Sequence, residues 1–180
     1  MEAADYLDLK HRVIGAGYSH EIDWCESLKE VSDADTFFSE YAWVVINSGM
    51  KNQIAQGIWE KVKAALSSGK KVSDAFGHPG KAKAIQDMSD NRQKRFEDYL
   101  SAPDKLAFIG GLPWIGKVTK WHLAKNYGFN VAKPDRHLVR IAGKYGKSVT
   151  QLCQDLAQVT GDRLATVDLV IWRAANLGWL

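Results

Sequence analysis

The sequence predicts an all-α fold. Three observations lead there. Apolar residues recur at the 3.6-residue spacing of amphipathic helices through most of the 180 residues. No run alternates strictly between apolar and polar residues, as a half-buried strand would. Residues that start and stop helices fall at the ends of the periodic segments.

Helices are expected over residues 3–14, 21–30, 33–47, 53–67, 81–100, 104–109, 117–127, 136–145, 149–159 and 163–177. The first two rest on periodicity alone. Ser32 with Asp35 three residues on reads as a loose capping box for the third. Trp43 in the third and Trp59 in the fourth sit among aliphatics (Val44, Val45, Ile46; Ile58, Val62), which makes core packing their default role. Residues 69–80, GKKVSDAFGHPG, form the most loop-like stretch. The segments 81–100 and 104–109 are again carried by periodicity. Gly116 opens the helix at 117. Gly128 closes it after the basic last turn Lys125-Asn126-Tyr127. Asp135 precedes the apolar run that begins at 136, and Ser148 with Gln151 forms a capping box for 149–159. Gly161-Asp162 separates the last two helices, with Asp162 as the expected cap of the final one, where Trp172 lies among Leu169 and Ile171.

A hydrophobic fraction of 46% is ample for a core and excludes a disordered chain. The length suits one compact domain or two small lobes. No stretch approaches the roughly 18 apolar residues of a membrane span, and Met1-Glu2-Ala3-Ala4-Asp5 is acidic where a secretory leader is basic. A cytoplasmic protein with no membrane partner is therefore expected. Cys25 and Cys153 are too few for a disulfide framework or a four-cysteine metal site, and both read as buried small hydrophobes.

The net charge of +3 is unevenly spread. Residues 116–150 hold Lys117, Lys120, Lys125, Lys133, Arg136, Arg140, Lys144 and Lys147 against the single acid Asp135, a balance of +7, which leaves −4 for the rest. Such asymmetry is the footprint of a polyanion-binding surface, because phosphate neutralisation dominates nucleic-acid affinity. A solvated basic face is the plainer alternative.

Chemistry concentrates in residues 104–142. A short helix leads into the turn Gly111-Leu112-Pro113-Trp114-Ile115-Gly116 and a second helix from Lys117. Backbone N–H groups exposed at such a corner, with the positive end of the helix dipole, form an anion site. Lys117, Thr119 and Lys120 stand where they add side-chain contacts to the same phosphate. An ordinary helical corner with a basic end fits the same residues. Trp114 stands out, since a large ring in a turn has little core to fill. Asp135 reads first as a helix N-cap. Capping is compatible with catalysis: a carboxylate fixed by helix N–H groups and kept ionised can stabilise a cationic sugar or activate a nucleophile.

Leu112-Pro113-Trp114-Ile115-Gly116, followed by Pro134-Asp135-Arg136-His137 and then Arg140, resembles the helix-hairpin-helix and catalytic-aspartate signature of the endonuclease-III-like DNA glycosylase superfamily. The strong resemblance covers residues 108–142, and a weaker one extends to 41–63. It implies two helical lobes with a DNA-binding cleft between them. One lobe would be about 1–32 with 130–180, the other about 33–129 containing the hairpin 104–127. It also implies a monomer on double-stranded DNA with a flipped nucleotide. In it Asp135 takes the catalytic position and Gly116 that of the hairpin's closing glycine. Trp114, Ile115, Gly116, Lys117, Thr119, Lys120, Arg136, His137 and Arg140 become the expected DNA contacts. Residues 47–53 fall where relatives insert a wedge into the base stack, so Asn47, Met50 and Gln53 are candidates for wedge or base-edge contacts.

Three departures qualify the resemblance. Val118 stands where bifunctional members carry a Schiff-base lysine, Trp114 where the hairpin usually has glycine, and the four-cysteine iron–sulfur loop is absent. No cofactor, metal or cluster is expected. The adenine-excising branch has a catalytic glutamate where this chain has Val44, with Glu40 one turn earlier as the nearest pocket acid. These residues lead to an expected monofunctional N-glycosylase of a bacterial or phage-infected cell. One alternative is a phage-type transferase that attaches an amine or amino acid to activated 5-hydroxymethyluracil in DNA. The other is a non-catalytic DNA-binding protein.

Overall fold

The computed structural model describes residues 1–180 and contains helices and no strands. In order these are α1 Ala3–Val13, α2 Ser19–Ser27, α3 Ala34–Asn47, α4 Asn52–Ser67, α5 Pro79–Asp90, α6 Arg92–Ser101, α7 Lys105–Gly111, α8 Thr119–Asn126, α9 Arg136–Lys144, α10 Val149–Thr160 and α11 Leu164–Asn176. A π-turned segment joins α1 to α2, and a 3₁₀ turn lies in the loop before α5. No helix is long and apolar enough to cross a membrane. The chain divides into two compact units, 1–30 with 124–180 and 31–123.

The first unit is built on α11, whose residues from Ala165 to Ile171 are all buried. Helices α1, α2, α9 and α10 pack on it. Each brings one apolar face: Tyr6, Leu9 and Val13 from α1, Leu138, Ile141 and Ala142 from α9, Leu152, Cys153 and Leu156 from α10. Arg163, just ahead of α11, donates to the carbonyls of Cys25 (3.0 Å), Leu28 (2.8 Å) and Gly128 (3.1 Å). One guanidinium thus satisfies the carbonyl end of α2 and the turn after α8.

The second unit is built on α3, which buries Phe37, Phe38, Tyr41, Ala42 and the Val44–Val45–Ile46 run against α4, α5 and α6. Phe37 anchors an aromatic group with Phe96 and Tyr99 at ring separations of 5.7 and 5.3 Å.

Four local expectations change. The helix expected over 81–100 is two helices, because the backbone leaves helical geometry at Asn91 (φ −113°, ψ 16°), which ends α5 and starts α6. Asp33, not Ser32, caps α3, its carboxylate accepting from both the amide and the hydroxyl of Thr36. The second helix begins at Ser19 and ends at Ser27, after Gly17 (φ +91°) has kinked the chain. Asp162 does not cap α11. Its two oxygens accept from Tyr6 Oη (2.6 Å) and Lys10 Nζ (2.7 Å), partners about 150 residues away.

Candidate functional site

The turn at residues 111–116 belongs to the unit of residues 31–123. Buried Leu112 and Ile115 root it in the core, and Tyr41 Oη on α3 donates to the Pro113 carbonyl at 2.9 Å. Trp114 has φ +63°, the one non-glycine residue in the left-handed region. A bulky side chain there costs on the order of 1–3 kcal/mol. Glycine is the residue that position asks for. Two contacts hold the ring: indole Nε1 donates to the Gly80 carbonyl at 3.1 Å, and the His78 ring meets it edge-on at 5.0 Å. Trp114 as a residue remains 48% exposed. Gly116 differs from expectation. Its N–H is not free but donates to Thr119 Oγ1 at 2.7 Å, so the hydroxyl does the work of an anion at that corner. Lys117 is exposed, and the Lys120 stem lies across Gly110 with its ammonium over Trp121.

Residues 47–53 lie in the same unit. Asn47 ends α3, Gly49 turns the chain at φ +81°, Met50 is half-buried and Gln53 is exposed on the first turn of α4. Glu40 is half-buried on α3, and Val44 is fully buried. Lys81 was missed in the sequence. It is 6% exposed, and its ammonium donates to the Ser48 carbonyl (2.6 Å) and Ser48 Oγ (2.8 Å), capping the end of α3. Burial pushes the Lys81 ammonium below the usual lysine range. Adjacent Gly80 and Lys81 therefore tie the hairpin and the 47–51 loop to one helix start.

Asp135 belongs to the other unit and is the N-cap of α9. Oδ1 accepts from the amides of His137 (2.9 Å) and Leu138 (3.1 Å). Oδ2 has no protein donor, and the residue is half-buried. Arg136 is exposed beside it, and His137 is half-buried. Arg140 is exposed, with Nη2 donating to the Leu180 carbonyl at 2.9 Å. The basic window is less free than its charge suggests. Lys147 pairs with Asp155 at 2.7 Å, and Lys125 pairs with Asp168 at 2.7 Å inside the core.

Asp168 is the second residue that sequence reasoning missed, although an acid inside Thr166-Val167-Asp168-Leu169-Val170-Ile171 is itself a sign of a paired buried charge. It is 2% exposed; Oδ2 takes the Lys125 ammonium and Oδ1 takes the Lys133 backbone N–H at 3.2 Å. Burial works against both charges of the pair. The contact outweighs it at Lys125, held above the usual lysine range, and only partly offsets it at Asp168, whose carboxyl stays above the usual carboxylate range. Lys133 is half-buried, and burial lowers its ammonium from the usual range while the Asp135 carboxylate pulls it back.

No protein-family model matches this chain, and neither does any curated protein or solved structure.

Proposed function

We propose that this chain is a DNA-base-acting enzyme, a monofunctional N-glycosylase in which an ionised Asp135 works on a flipped nucleotide. The observation that carries the reading is the division of labour within one carboxylate. Oδ1 is spent on the start of α9, which fixes the group, and Oδ2 is left without a donor. A fixed, uncommitted carboxylate oxygen stabilises the positive charge that develops on the sugar as the C1′–N bond breaks. Water then adds to C1′, and its proton leaves with the departing base.

The proposed architecture is the one the resemblance implies, two helical lobes with DNA in the cleft. Lys117, Thr119 and Lys120 at the hairpin contact phosphate without reading sequence. Trp114 presents a stacking face, and Ile115 and Gly116 shape the hairpin. Arg136, His137 and Arg140 add contacts on the Asp135 side. Val118 at the Schiff-base position supports simple hydrolysis over a lyase step.

The test is base release. Purified protein is incubated with duplexes carrying uracil, 5-hydroxymethyluracil, alkylated, oxidised or mismatched bases, and free base is measured by mass spectrometry. Release by the wild type and its loss in Asp135→Asn is expected, since asparagine still caps α9 and keeps the fold. No release from any duplex, or equal release by Asp135→Asn, overturns the reading. A base that gains mass without leaving its sugar would instead favour the transferase.

A further inference from the structure

The link from the core of the first unit to Asp135 runs through backbone. The Lys125 ammonium holds Asp168 Oδ2, and Asp168 Oδ1 receives the Lys133 N–H. The Lys133 carbonyl in turn accepts the Asp135 N–H at 2.8 Å, and the Asp135 carboxylate then caps α9. Residues 131–135 otherwise cross from the turn after α8 to α9 without helical hydrogen bonding. A capped helix start fixes the carboxylate relative to α9 alone. The second attachment fixes the same residue relative to α11, which lies at the centre of this unit.

We propose that Asp168 is the positioning residue for Asp135: its buried carboxylate, oriented by Lys125, pins the Lys133 amide and so sets the direction in which the free oxygen of Asp135 points. Asp168 touches no substrate and acts only through the 133–135 backbone. The proposal rests on Asp135 being the catalytic group. Rigidity at this point matters because misplacing a catalytic group by about 1 Å can cost on the order of 100-fold in rate.

Removing Asp168 alone strands the Lys125 charge in the core and threatens folding, so the test uses two neutral pairs. Lys125→Met with Asp168→Asn removes the ion pair but keeps a side-chain oxygen that can accept the Lys133 N–H. Lys125→Met with Asp168→Leu removes the ion pair and the acceptor together. Two readouts are taken. In hydrogen exchange, the Lys133 and Asp135 amides should exchange about tenfold faster in the Leu pair than in the Asn pair. In base release, kcat should fall roughly 10- to 100-fold in the Leu pair relative to the Asn pair, with KM for DNA little changed. Similar exchange in the two pairs overturns the proposal, with or without a known substrate. Similar kcat overturns it as well, provided Asp135→Asn abolishes release. If Asp135→Asn keeps full activity, the catalytic reading fails instead, and exchange alone still judges the attachment.

Discussion

The indole of Trp114 occupies the space where a β-carbon on Gly80 would lie, 2.5 Å from its Cζ2 atom, while its Nε1 is bonded to the Gly80 carbonyl. Each residue explains the other. The left-handed backbone at Trp114 is held by this contact, and position 80 must lack a side chain for the ring to fit. Without the ring, nothing restricts position 80, which lies at the start of α5 where alanine is a better helix former than glycine.

Gly80→Ala should therefore change sign with background. In the wild type it should destabilise by about 1–3 kcal/mol through overpacking. In Trp114→Gly, whose glycine accepts φ +63° without strain, it should be neutral or stabilise by up to about 1 kcal/mol. Urea denaturation of the four proteins measures this coupling. The same cost in both backgrounds would remove the ring from the account.

Gly128 and Gly57 should respond oppositely to alanine. Gly128 has φ +92°, and its β-carbon would sit 2.3 Å from the Lys29 carbonyl oxygen, a backbone atom that cannot step aside. Gly128→Ala should cost more than about 3 kcal/mol or prevent folding. Gly57 lies mid-helix in α4 with nothing near its added β-carbon, so Gly57→Ala should stabilise by about 0.5–1 kcal/mol. Thermal melting distinguishes the two.

Salt dependence should separate surface cations from the buried one. Lys117→Ala and Lys120→Ala should each reduce the slope of log K against log salt for undamaged duplex by about one. Lys125→Met with Asp168→Asn should leave that slope unchanged, because the Lys125 ammonium is engaged inside the protein. A reduced slope in that pair would mean the ammonium reaches phosphate after all.

The two thiols should be silent in the native state. Burial pushes Cys25 up to about 11 and raises Cys153 as well, so neither forms thiolate near neutrality. Thiol titration at pH 8 should find no reactive cysteine until urea is added. The linkage has a definite sign. A thiol whose folded pKa is raised contributes stability in full below its ordinary 9.0, and that contribution is lost as pH rises from 9.0 towards about 11. The alkaline loss of stability should shrink in Cys25→Ala measured against pH. Rapid labelling at pH 8 would place a thiol at the surface.

Secondary structure was legible where its cause lay within one helical turn. Asp135 caps α9 and Ser148 caps α10 as their neighbours in sequence imply, because the donors they satisfy are two or three residues away. Gly128 and Gly161 take positive φ at helix ends for the same local reason. The break at Asn91 was missed, since an asparagine within a helical pattern carries no mark of whether its backbone will leave helical geometry.

Sequence alone determined that the chain is helical, the approximate spans of most of its helices, the caps of α9 and α10, and that its positive charge is concentrated around one acid. Only the tertiary structure decided that Asp162 belongs to Tyr6 and Lys10, that Lys125 is taken by Asp168 43 residues on, and that Trp114 is clasped by Gly80 34 residues before it. Hydrogen bonds within a turn follow from the order of residues. The partner of a charged or aromatic side chain depends on which helices pack together, and that is settled by burial of the whole apolar surface at once.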